Sequence, residues 1–68
     1  MGKYVIMRGG AYLSARLGWG PTTTKEIEQA KIFPSVSAAY EYRSNNSFFY
    51  GWDIGKICGM YIQVIPSK

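Results

Sequence analysis

Two adjacent glycines near the start of the chain constrain its fold more than any other feature. Gly9 and Gly10 separate the β-forming run of residues 4–7 from residues 11–16, where apolar and more polar side chains alternate. A Gly-Gly pair supplies the positive φ angles that a two-residue hairpin turn requires. The pattern therefore predicts a β-hairpin over residues 3–16.

A third strand and a single helix are predicted in the middle of the chain. Residues 30–33 form a short strand-like run, and Pro34 ends it because proline cannot donate to a β-ladder. Ser35 is a favourable N-cap for a helix over residues 36–44. A helix of this length is stable only when it packs against other elements, so we expect it to cover the sheet.

The last third of the chain predicts a loop followed by a strand. Residues 45–58 contain Gly51 and Gly55, are followed by Gly59, and indicate a loop. Residues 60–65 indicate a strand in which Met60, Ile62 and Val64 face the helix. The predicted order is β-β-β-α-β. It corresponds to an α+β fold, with a small antiparallel or mixed four-stranded sheet and one helix on one face. The second face of that sheet has no predicted cover.

Composition favours one small intracellular domain. The 68 residues suffice for a single domain, 1–68, and an apolar content of 47% is too high for a disordered chain. Cys58 is the only cysteine, so no internal disulfide can form, which favours a reducing cytoplasmic compartment. No apolar stretch approaches the roughly 18 residues of a membrane span, so no membrane association is expected.

The residue types needed for catalysis are scarce. The chain has no histidine, which removes the commonest general base and a major metal ligand. Cys58 therefore lacks a histidine partner for nucleophilic catalysis, and Glu26 and Glu28 point apart in either a strand or a helical turn. No phosphate-binding glycine motif is present. We expect a protein that is not an enzyme and that holds no cofactor or metal.

An aromatic run after the predicted helix is the leading candidate for a contact surface. The aromatic run is residues 48–52, in which four of five residues carry rings: Phe48, Phe49, Tyr50 and Trp52. Trp and Tyr are enriched at protein interfaces. Because a domain of this size has little interior volume, we expect Phe48 to anchor inward and the other three rings to be partly presented. The alternative is that all four rings seal the core. The predicted protein-binding residues are Trp19, Phe49, Tyr50, Trp52 and Arg16.

Nucleic-acid binding is a different hypothesis for the same chain. The net charge is +4, and residues 1–24 carry three of the cations and no acid. Cations next to aromatic side chains on a small sheet are typical of single-strand binding. The predicted nucleic-acid contacts are Lys3, Tyr4, Arg8, Tyr12, Arg16 and Tyr61. A third hypothesis is a homodimer in which the aromatic side chains form the seam.

Several short motifs follow one another in an order that resembles small proteins encoded by bacteriophages and prophages. They are Lys3-Tyr4-Val5-Ile6, Tyr12-Leu13-Ser14, Trp19, Ala30-Lys31-Ile32-Phe33 and Ser35 before an Ala-rich helix. The resemblance covers residues 3–44. It implies a stoichiometric inhibitor of a bacterial host or defence protein, similar to anti-CRISPR proteins and acting in the bacterial cytoplasm. It assigns no functional residue.

Overall fold

The computed structural model describes residues 2–15 and 22–65, which form a five-stranded antiparallel sheet and one α-helix. The elements are β1 (Tyr4–Arg8), β2 (Ala11–Leu13), β3 (Thr23–Thr24), α1 (Val36–Ser44), β4 (Asp53–Cys58) and β5 (Tyr61–Ile65). The strands lie in the order β3-β2-β1-β4-β5. The predicted α+β class with one helix is confirmed, but the sheet has five strands where four were expected.

The predicted N-terminal hairpin is confirmed. Strand β1 pairs with β2 in a register that places Arg8 opposite Ala11, which leaves a two-residue turn between them. The φ angles of Gly9 and Gly10 are 56° and 94°. Side chains other than glycine rarely adopt this combination, which explains why the turn carries two glycines.

Helix α1 has the predicted bounds and the predicted cap. The Ser35 hydroxyl accepts a hydrogen bond from the backbone N–H of Ala38 at 3.1 Å, which satisfies one of the donors left over at the helix start. Ala39 faces the sheet and is fully buried. At the other end, the side-chain amide of Asn46 donates to the Tyr42 carbonyl and satisfies one of the last acceptors.

The prediction of a third strand at residues 30–33 was wrong. Ala30 forms a single bridge to Ser14, and Phe33 forms a single bridge to Tyr4. Tyr4 begins β1 and Ser14 follows β2, so both partners lie at the open end of the first hairpin. The segment therefore crosses this end and does not run alongside one strand. The third strand is the two-residue β3, which pairs with β2.

Strand β4 lies within a region that the sequence predicts to be a loop. It pairs with β1 on one side and with β5 on the other, so it is a central strand of the sheet. The glycine content of the region caused the error. Gly55 is buried in the middle of β4, where a Cβ atom would come within 2.6 Å of side-chain atoms of Met7 and Ile62. Here glycine marks a close approach between neighbours and not a break in the strand.

The main core lies between the sheet and α1. It is formed by buried residues of the sheet, of α1 and of the flanking segments: Ile6, Leu13, Phe33, Ala39, Phe49, Trp52 and Ile54. Ile65 pairs with Ile54 and packs against this core, so Ile62 and Val64 face away from the helix. The predicted orientation of β5 was therefore wrong. The two-residue turn Gly59–Met60 sets the opposite register.

Candidate protein-binding surfaces

The aromatic run connects α1 to β4 through a single tight turn. Ser47–Phe49 form a 3₁₀ turn, and the backbone N–H of Trp52 donates to the Phe49 carbonyl at 3.0 Å. Gly51 has a φ angle of 84°, which lets the chain reverse into β4. The backbone of this segment is thus coiled, so its side chains do not alternate as they would in an extended strand.

The coiled backbone divides the four rings into a buried pair and an exposed pair. Phe49 is completely buried and Trp52 is 9% exposed, and their rings meet edge to face with centroids 4.9 Å apart. Phe48 is 57% exposed and Tyr50 is 86% exposed. Two rings therefore complete the core, and two neighbouring rings face the solvent.

The sequence-based assignment of these rings was partly wrong. Phe49 and Trp52 were expected to be presented to a partner, but both are buried. Phe48 was expected to point inward, but more than half of its side chain is exposed. The predicted exposure of Tyr50 is confirmed. The other two predicted contacts, Trp19 and Arg16, lie outside the described residues.

The error followed from treating the segment as extended. The 3₁₀ turn ends at Phe49, and a reverse turn through Tyr50 and Gly51 then brings the Trp52 ring back against that of Phe49. Phe49 and Trp52 are separated by three positions, and Tyr42, whose ring lies 6.3 Å from that of Phe49, is seven positions earlier on α1. Gly51, whose positive φ permits this reverse turn, is the sequence signal that could have identified it.

An apolar groove lies on the sheet face opposite α1. Its volume is about 330 Å³, and it lies at the end of the sheet where the β4–β5 turn is located. Its lining residues define the groove: Met7, Tyr12, Ile27, Ile57, Gly59, Met60, Tyr61 and Ile62. The sequence predicted this face to be uncovered, and its lining is mostly aliphatic and methionine.

The groove surface ranges from half-buried to fully exposed. Met7, Ile57 and Ile62 are partly buried strand residues, whereas Met60 is fully exposed at the turn. Gly59 has a φ angle of 61° and allows the tight turn that holds Met60 in this position. The groove therefore combines partly buried strand residues with a fully exposed side chain at the turn.

The tyrosines expected to share a nucleic-acid-binding face do not lie together. Tyr4 packs against the core on the helix-bearing face, whereas Tyr12 and Tyr61 line the groove. Lys3 and Arg8 are exposed at opposite ends of β1, so they do not form one patch. The prediction of a shared stacking face was therefore wrong, because Tyr4 and Tyr12 lie on opposite faces of the first hairpin.

Arg43 ties the helix to the aromatic segment. Its guanidinium donates from Nη1 to the Trp52 carbonyl at 2.6 Å, and it lies 4.8 Å from the centroid of the Tyr40 ring. A hydrogen bond from a charged donor is stronger than a neutral one. Arg43 therefore fixes the backbone at Trp52, next to the exposed residues Phe48 and Tyr50.

Titratable side chains do not converge in the described part of the chain. Within residues 2–15 and 22–65, no group of three or more His, Cys, Asp or Glu side chains could hold a metal ion. The Cys58 thiol lies 4.0 Å from the side-chain oxygen of Gln63. No helix within the described ranges has the length and apolar character needed to cross a membrane.

Comparisons with protein-family models, curated proteins and solved structures found no match to this chain. Its function must therefore be inferred from the surfaces described above.

Proposed function

We propose that the chain is a non-catalytic protein-binding domain and that the groove is its principal contact surface. The observation that carries the proposal is an apolar concavity of about 330 Å³ on a sheet face that the helix does not cover. Concave apolar surfaces with a few polar groups at their edges are the usual form of binding sites. Here Tyr12, which pairs with Met7 and lies on the same face, brings a hydroxyl-bearing side chain to the lining.

The two methionines of the groove favour a protein surface as the ligand. Met7 and Met60 have unbranched, polarisable side chains that adapt to differently shaped partners. Met60 is fully exposed, which costs free energy unless a partner covers it. A protein that presents apolar side chains would bury both methionines together.

The exposed pair Phe48 and Tyr50 is a second, separate contact region in this proposal. The Phe48 ring contacts both buried rings, with centroid distances of 5.0 Å to Phe49 and 6.2 Å to Trp52, and Tyr50 directly follows the buried Phe49 in the chain. Rigid aromatic side chains of this kind often act as interface anchors. Tyr50 keeps the role that the sequence suggested, and Phe48 replaces Phe49 and Trp52.

The partner class in this proposal is a bacterial protein that the domain inhibits by occupying its functional surface. The resemblance to small phage proteins supports this choice, and the net charge of +4 favours a partner with an acidic surface. Nucleic-acid binding is the weaker proposal, because Tyr4 lies on the opposite face from Tyr12.

Affinity capture from nuclease-treated bacterial lysate tests the groove directly. The wild-type domain and a Met60→Lys variant are immobilised separately. Met60 is fully exposed at a turn, so the substitution should leave the fold intact while placing a charge at the groove rim. We expect the wild type to recover a defined protein and the variant to recover at least tenfold less.

An Ile32→Lys variant is the matched control. Ile32 is also an exposed apolar residue, but it does not line the groove. We expect this variant to capture the same protein as the wild type. Equal recovery by Met60→Lys and the wild type would reject the groove as the contact surface. Recovery of nucleic acid alone from untreated lysate would reject protein binding itself.

A further inference from the structure

Strand β5 forms one edge of the sheet and lacks the features that usually protect an edge. Its five residues pair with β4 in a continuous register without a bulge, and within residues 2–15 and 22–65 no segment pairs with its outer side. The sequence of β5, Tyr-Ile-Gln-Val-Ile, contains no charge and no proline. The opposite edge, β3, is protected by its length of two residues. Long, uncharged edge strands readily pair with another strand.

The register shows which backbone groups of β5 are directed outward. In β4, the Ile57 N–H donates to the Lys3 carbonyl at 2.8 Å, so Ile57 directs its backbone groups away from β5. Because these directions alternate along a strand, Lys56 directs its groups toward β5, where its partner is Gln63. It follows that Ile62 and Val64 direct their N–H and C=O groups outward.

We propose that the outer edge of β5 binds β5 of a second copy of this chain, antiparallel and with the twofold axis at Gln63. In this register Ile62 lies opposite Val64 of the second copy, and Val64 lies opposite its Ile62. Each of these two pairs exchanges two backbone hydrogen bonds, which gives four in total. The result is a continuous ten-stranded sheet.

The side chains of β5 are complementary to themselves in this register. Tyr61 meets Ile65 of the second copy, which is an aromatic and β-branched pair of the favourable kind. Ile62 meets Val64, so apolar groups meet on the groove face as well. The central pair is two neutral Gln63 side chains. This symmetric pattern of apolar residues about a glutamine favours a second copy over an unrelated strand.

The positive charge of the chain does not oppose this pairing. Lys56 is the cation opposite Gln63, and in the dimer it is separated from Lys56 of the second copy by three strand spacings. At about 4.8 Å per spacing this distance is about 14 Å. It exceeds the screening length of about 8 Å at physiological salt, so the repulsion between the two lysines is weak.

The inference goes beyond the proposed function, because it requires no foreign partner. Val64 is 48% exposed and Tyr61 is 66% exposed in the single chain, so pairing would cover apolar surface that is otherwise in contact with water. Since Ile62 also lines the groove, the two grooves of the dimer would lie on one face of the shared sheet.

A charge swap at Gln63 tests the proposal. Gln63→Glu and Gln63→Lys each place like charges opposite one another at the centre of the dimer, where the side chains are closest. Sedimentation velocity of the wild-type chain is expected to show dimer, and each variant alone is expected to dissociate at least tenfold more readily. A one-to-one mixture of the two variants is expected to restore the dimer, because a carboxylate then faces an ammonium group.

Gln63→Glu also controls for folding, whereas the lysine of Gln63→Lys would face Lys56 within its own chain. In the single chain, the carboxylate that Gln63→Glu introduces would lie opposite Lys56, which is a favourable cross-strand pair, so this variant should keep the wild-type circular dichroism spectrum. A wild-type chain that remains monomeric at millimolar concentration would overturn the proposal. Dimers that persist in both single variants, or that are lost in Tyr50→Ala instead, would also overturn it. Met60→Lys should leave the dimer unchanged, which separates this test from that of the groove.

Discussion

Phe48 and Phe49 are chemically identical neighbours with opposite roles. Phe49 has no solvent exposure and contacts the rings of Trp52, Phe48 and Tyr42. Phe48 makes an edge contact with Phe49 but is mostly in water. The difference arises because the 3₁₀ turn directs successive side chains about a third of a turn apart, so only one of the two can face the core.

We expect Phe49→Ala to unfold most of the protein at room temperature. Truncating a buried phenylalanine costs about 3–5 kcal/mol, which is comparable to the whole stability of a domain of this size, at about 3–5 kcal/mol. Urea denaturation followed by circular dichroism measures the change in the free energy of unfolding. Tyr50→Ala, which removes a ring that is 86% exposed, should change it by less than about 0.5 kcal/mol. Similar losses in the two variants would contradict the division into a buried and an exposed pair.

Helix α1 shows how a short element depends on its ends. It has nine residues and buries only Ala39 completely, so its packing is modest and its cap contributes a substantial share of its stability. Arg43 lies in the last turn, where the helix dipole favours a cation, and it also hydrogen-bonds to the Trp52 carbonyl. The two ends are therefore fixed by different interactions.

Ser35→Ala is expected to lower the free energy of unfolding by about 1 kcal/mol, because it removes the hydrogen bond from the Ala38 N–H. For a 68-residue domain this corresponds to a fall in melting temperature of about 4–8 °C. Differential scanning calorimetry measures it. Ser37→Ala replaces an exposed serine within the helix and serves as the control, with an expected change below about 0.5 kcal/mol. An equal effect of both changes would show that the Ser35 cap does not contribute as the geometry indicates.

At the scale of the whole molecule, the two faces of the sheet differ in what they contact. The face toward α1 carries the core, and the opposite face carries the groove that we propose as the binding surface. The outer edge of β5 adds a third surface at the boundary between them. The groove and this edge consist mainly of uncharged residues, so the charges of the chain act on binding mainly over longer distances.

We expect the association rate of the captured partner to fall several-fold when the salt concentration rises from about 20 to 150 mM. The reason is that a domain of net charge +4 attracts an acidic partner over a distance that salt shortens. The dissociation rate should change little, because it depends on the apolar groove. Surface plasmon resonance measures both rates. A dissociation rate that rises steeply with salt would contradict an apolar contact and indicate binding through ion pairs.

Local residue preferences determined the elements whose signals lie close together in the chain. Gly9 and Gly10 determined the first hairpin, because the positive φ angles they allow are needed wherever that turn occurs. Ser35 determined the start of α1, because capping is an interaction among near neighbours. The scarcity of catalytic side chains and the net positive charge could also be read from the sequence.

Only the tertiary structure decided the elements that depend on distant neighbours. Gly55 disfavours a strand by itself, yet β4 forms because β1 and β5 pair with both of its sides and need a close approach there. The burial of Phe49 and the exposure of Phe48 followed from where the core lies relative to the turn. The groove and the uncovered edge of β5 likewise depend on strand order, because they form only where distant segments meet or fail to meet.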